Sequence, residues 1–174
     1  MASLRRPHRT RCRNLHRFGW GSTALLLALA CASAPTTPKS VAEAYLDAGR
    51  YVDAAREAEA AVRRDPADPR LRQLAARAHA GAGSTERAID HLEEALELAP
   101  SDPEISIQLG EIEQSRENVE DAYVAFRRAT QLAPNEIRAW SGLALSSEAL
   151  GFENEAAQAY AEWARLEEEQ GVAP

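Results

Sequence analysis

Three prolines, Pro66, Pro100 and Pro134, stand 34 residues apart, and this fixed interval constrains the fold more than any other feature of the chain. A repeat of that length is one supersecondary unit, too small to bury its own apolar face. Such units make a core only by stacking on their neighbours, and about three or more are needed. Steps of 34 divide the chain into units 35–68, 69–102, 103–136 and 137–170, leaving a tail at 171–174. Other positions recur in the same frame. Ala54, Ala88, Ala122 and Ala156 share one place, and Ala61, Ala95 and Ala129 share another, where the fourth unit has Trp163. Between them lie Ala58, Leu92, Phe126 and Tyr160, and the earlier half of each unit carries Val41-Ala42, Ala75-Ala76, Leu109-Gly110 or Leu143-Ala144.

Each unit reads as two helices. Thr37-Pro38, Asp68-Pro69 and Asp102-Pro103 pair an N-cap side chain with proline at the first helical position, where the missing N–H costs nothing. Gly49, Gly81, Gly83 and Gly151 fall where a first helix must stop, and Ser84 and Asn118 are placed to cap second helices. In the second unit Ala88, Ile89, Leu92, Ala95, Leu96 and Ala99 draw an apolar stripe at three- and four-residue spacing. An Ala-, Glu- and Arg-rich chain of 174 residues, with few β-branched residues, holds one helical domain. The expected fold is therefore all-α, a solenoid of about four helix-turn-helix units.

On these residues the chain resembles the tetratricopeptide repeat, whose pattern is an aromatic, a Leu-Gly pair, a Tyr, two Ala places around a Phe or Tyr, and a closing Pro. Trp140 supplies the opening aromatic, Tyr45 the Tyr, and Phe126 and Tyr160 the later ring. The likeness covers about residues 38–170, with Arg72 and Ser106 replacing the first aromatic and His79, Glu113 and Ser147 replacing the Tyr. It implies a protein or peptide partner held in a groove lined by the first helix of each unit. The side chains aimed there would be Lys39, Glu43, Asp47, Arg70, Gln73, Arg77, Glu104, Ile107, Glu111, Gln114, Arg138, Ser141, Leu145 and Glu148. Family members that clamp a peptide carboxylate use cations and asparagines. Here Lys39 fits, but Glu43, Leu74, Glu104 and Gln108 stand at the other places, so that function is not expected. Because only 171–174 follow the last helix, Trp163 is expected to cover the end of the core. The sharper alternative makes Tyr160, Trp163 and Leu166 a docking patch for a homo-oligomer.

The amino-terminal segment reads as an address. Six arginines precede residue 18, an apolar run spans Thr23 to Ala30, and Cys31-Ala32-Ser33-Ala34-Pro35 follows. That order is a secretory signal peptide over residues 1–30, with 31–37 as a tether. The stretch from Phe18 to Ala34 holds Gly19, Gly21, Ser22 and Thr23 and falls short of the roughly 20 apolar residues of a spanning helix. Ala28-Leu29-Ala30-Cys31 resembles the lipobox of bacterial lipoproteins, which implies lipidation of Cys31 and attachment to a bacterial membrane, the outer one if the envelope is Gram-negative. Ordinary cleavage after Ala30 or Ala32 remains the alternative. With Cys12 removed, Cys31 has no disulfide partner, which favours the thioether.

From Cys31 onward 14 Lys+Arg face 27 Asp+Glu, a balance of −13 that disfavours nucleic acid. The expected mature chain holds two histidines, His79 and His91, in no zinc-ligand spacing, and no phosphate loop or catalytic constellation. His79 occupies a core aromatic place, so packing is its expected role. No cofactor and no metal are expected. The sequence thus points to a non-enzymatic, membrane-anchored adaptor of the kind that aids envelope, pilus or secretion assembly. The alternative is a soluble periplasmic module that self-associates through its last helix.

Overall fold

The computed structural model describes residues 37–171, and every one of its regular elements is a helix. In chain order they are α1 (Pro38–Asp47), α2 (Tyr51–Arg64), α3 (Pro69–Gly81), α4 (Thr85–Leu98), α5 (Pro103–Ser115), α6 (Val119–Leu132), α7 (Ile137–Ala149) and α8 (Glu153–Gln170). Each unit is one antiparallel pair, and each second helix also packs on the first helix of the next unit. The signal peptide and Cys31 lie outside the described residues, as does all of the tether except Thr37. No helix among the described residues is long and apolar enough to cross a membrane.

First helices begin on side-chain caps. Thr37 accepts from the Ser40 N–H, Asp68 from Arg70 and Asp102 from Glu104, each from an extended backbone. Glu136 does the same for α7 by accepting from Arg138. Second helices begin differently. Ser84 and Asn118 hold the N-cap place of α4 and α6, but neither side chain makes a capping bond. Both are already committed to the close of the preceding helix: Ser84 N–H donates to His79 O at 2.8 Å and Asn118 N–H to Glu113 O at 3.0 Å. That six-to-one bond fixes ψ at 62° and 74°, away from the extended geometry a side-chain cap needs.

Gly49, Gly83 and Gly151 supply the left-handed residue of these turns, at φ of 69°, 77° and 75°. Gly81 does not; it stays helical at the end of α3, where its missing side chain makes room for the Tyr51 ring. In the third turn a non-glycine, Glu117, takes the left-handed place at φ 62°.

The core runs through the stack. Ala42, Ala58, Ala61 and Ala75 with Leu71 and Leu74 join the first two units. Phe126, 1% exposed, wedges against Gly110 of α5 and Gly142 of α7, close enough that a Cβ on Gly110 would meet its ring at 2.9 Å. α2 packs extensively on α3, where Ala58, Ala61 and Ala75 meet Leu71 and Leu74, and α6 on α7, where Phe126 meets Leu143. Between α4 and α5, Leu92, Leu96, Ile105 and Leu109 pack with Ala88 and Ala95, and these two helices meet less extensively than α2 with α3 or α6 with α7.

Candidate functional site: the face of the first helices

At the less extensive α4/α5 junction the molecule opens on the face made by the first helices. α1 touches α3 and α5 touches α7 along that face, while α3 and α5 stand apart. The gap is a cleft of about 330 Å³, with Leu46, Tyr51, Ala76, Ala80 and Ile112 as apolar lining and Asp47, Arg77, Gln108 and Glu111 as polar lining. Gln108 Nε2 donates to Glu104 Oε1 at 2.9 Å, whereas its Oε1 is buried without a hydrogen-bond partner.

Of the residues expected to line this face, Asp47, Arg77 and Glu111 line the cleft. Lys39, Glu43, Asp47, Arg70, Arg77, Glu111, Gln114, Arg138, Leu145 and Glu148 are exposed, and Gln73, Glu104 and Ser141 are half-buried. Ile107 is not among them. At 1% exposure it packs with Ala129 and Ala139 between α5, α6 and α7, because two facing alanines leave a hole that only a larger side chain fills. Several groove groups are already occupied. Gln73 donates to Asp102 at 3.0 Å, and Arg138 bridges α7 to α5 by reaching Glu104 at 3.0 Å and Glu111 at 2.9 Å. Burial opposes the Arg138 charge, and those two carboxylates more than offset it, raising its pKa above the ordinary value. Arg77 and Asp47 line the cleft without such a pairing among the described residues.

On α8 the three residues expected at the end of the stack separate. Leu166 is buried at 1% exposure and cannot take part in an exposed patch. Trp163 is half-buried against the core, its indole N–H donating to Glu167 at 2.8 Å, and it stacks on Tyr160 with ring centroids 6.0 Å apart. Tyr160 OH in turn donates to Glu148 at 2.5 Å, and that hydrogen bond raises the pKa of the phenol above its usual value.

A second group of polar side chains meets between α2, α3 and α4. His79 and His91 stack with centroids 5.4 Å apart, and both place Nε2 at 3.1 Å from Glu59 Oε1. Burial pushes the Glu59 carboxyl up, but the hydrogen bonds from His91 and His79, with their charges, bring it below the usual carboxylate range. Packing alone was the sequence-based expectation for His79. It is indeed buried at 5% exposure, yet it also has polar work. Linear spacing hides this cluster, since its members lie 12, 20 and 32 residues apart on three helices. The signal was available only in the 34-residue frame, where His91 stands at the place of Ala125 and Ala159.

Two family models, each described as tetratricopeptide repeat, match residues 42–103 and 79–146. No curated protein matches the sequence. Among solved structures, a crystal structure of MamA superposes with a TM-score of 0.72 at 21% identity, covering 82% of this chain and 85% of that one. A second MamA structure gives 0.70 at 22% identity, covering 78% and 74%. The first TPR of Spaghetti (RPAP3) bound to the HSP90 peptide SRMEEVD gives 0.63 at 24% identity, covering 66% of this chain and 90% of that chain. At these identities the likeness is one of fold.

Proposed function

We propose that this chain, whose residues 42–146 match tetratricopeptide-repeat models, is a non-enzymatic scaffold that holds an extended peptide or partner helix on the face of its first helices. The observation that carries this reading is the cleft between α1, α3 and α5, with its apolar lining and the Asp47 and Arg77 side chains that line it without an ion-pair partner among the described residues. An apolar side chain of the partner fills the cleft, and Asp47 and Arg77 orient the segment from the rim. A neighbouring repeat structure holds a peptide, which supports a peptide-binding use of the fold.

The test is photo-crosslinking in cells, with a crosslinking amino acid placed at exposed Arg77 or at exposed Glu120 on α6. One partner captured from position 77 and absent from position 120 is the expected result. Equal capture at both, or capture at 120 alone, overturns the groove reading.

The same proposal places the scaffold at a membrane. Export by the amino-terminal signal and lipidation of Cys31 would leave about 15 Å of tether by flexible-chain scaling, so the array would work close to the bilayer in envelope, pilus or secretion assembly. Mass spectrometry of the mature amino terminus decides this: a diacylated Cys31 supports the anchor, and an unmodified terminus after Ala30 or Ala32 removes it. The competing reading, a soluble module that self-associates through α8, has lost Leu166 to the core and has Tyr160 and Trp163 engaged within the chain.

A further inference from the structure

We infer that Glu59, His79 and His91 form a binding site for one borderline divalent cation of the zinc, cobalt or nickel kind, clipping the first repeat to the second. The three side chains come from α2, α3 and α4, and one ligand atom from each lies within 4.8 Å of the other two. Two imidazoles and one carboxylate are the donor set these cations take, and a tetrahedral ion with bonds of about 2.0–2.1 Å needs ligand atoms about 3.3–3.4 Å apart. Both Nε2 atoms already stand 3.1 Å from Glu59 Oε1, so two of the three edges are nearly set.

Packing does not explain the cluster. The repeat frame gives two internal controls, because the same junction recurs twice along the array. At the place of His91 the later units carry Ala125 and Ala159, buried at 5% and 1% exposure, so alanine is all that the junction needs. The places of Glu59 and His79 become Glu93 and Glu113 in the next junction, then Arg127 and Ser147, and neither repetition assembles two imidazoles on a carboxylate.

Metal binding requires each neutral imidazole to hold its proton at Nδ1 and free the Nε2 lone pair. His91 Nδ1 is buried without a partner, so the N–H placed there stays unpaired at a cost of roughly 1–3 kcal/mol that the bonds to the cation must exceed. Two of the three side chains, Glu59 and His79, also line a cleft with Ser84, Arg56 and Arg87, so water has access to the cluster as a further ligand. Of the two arginines, Arg56 is paired with Asp53 at 3.3 Å and Glu57 at 3.4 Å, which moderates its repulsion of a cation.

The experiment titrates untagged full-length protein with Co2+ and Zn2+, reading visible absorption and calorimetry. Expected are one ion per chain, the d–d bands of low-coordinate cobalt, and a loss of affinity of at least tenfold in H91A and in E59Q. His8, His16, Cys12 and Cys31 are present in all three proteins, so the difference belongs to the cluster. Far-UV circular dichroism checks that H91A folds, and E59Q, altering a half-buried carboxylate, decides the matter if it does not. Absence of binding below millimolar cation, or unchanged affinity in the folded variants, overturns the site.

Discussion

Glu117 shows how a single residue can sit against its own preference. Three of the four turns between paired helices put glycine in the left-handed region, and the fourth puts Glu117 there at φ 62°. That conformation costs an L-residue about 1–2 kcal/mol, partly offset in a glycine variant by the greater freedom of its unfolded chain. Glu117→Gly is therefore expected to raise the stability of the protein by about 1 kcal/mol, read from the urea midpoint at unchanged slope. Gly142→Ala works in the other direction, because its new Cβ would fall inside van der Waals contact of the Phe126 ring. A loss of about 1–3 kcal/mol is expected on the same measurement, the range for overfilling a packed core. Residues of this kind were unevenly legible. The turn at Gly83 is written in the sequence, but Glu117 carries no sign of its φ. Likewise Gly81, which reads as a turn residue, serves instead as a seat for Tyr51.

At the scale of the helix, the two members of each pair begin by different means. Asp68→Ala and Asp102→Ala remove a side chain that accepts an N–H, and each is expected to cost about 1 kcal/mol of stability. Ser84→Ala is expected to cost only a few tenths of that, since the Ser84 hydroxyl makes no capping bond. Chemical denaturation of the three variants side by side checks the contrast, and a Ser84 cost equal to that of Asp68 would contradict it. Sequence could give the helices, since proline at a first position and apolar residues at three- and four-residue spacing are local signals. It could not give the caps of the second helices, because Ser84 looks like a cap until the bond from its N–H to His79 O fixes its backbone. Ile107 is a similar case. Its place in the frame points to the groove, and only the alanines at 129 and 139 opposite it turn the side chain inward.

Across the whole molecule, neighbouring units meet to unequal extents. An array of stacked units divides at its weakest interface. Here that interface is α4 against α5, which meet less extensively than α2 with α3 or α6 with α7. Native-state hydrogen exchange is expected to show units 35–102 and 103–170 opening as two separate cooperative blocks, with the lowest protection around the junction. A single cooperative opening of all eight helices would refute this. The period of 34 made the array legible from sequence, but the cleft was not, because it depends on how closely two neighbouring units pack, which the repeat frame leaves unset. The Glu59, His79 and His91 cluster was hidden for a related reason, being assembled from three elements. The ring of Phe126, held between Gly110 and Gly142, sets a limit on modularity. Arrays of this design grow and shrink by gain or loss of a unit, and any one unit ought to be a transplantable part. Here the ring belongs to the third unit and one of its two slots to the fourth, so neither can be grafted or deleted alone. For recombination and for protein engineering the exchangeable part at this end of the molecule is the pair.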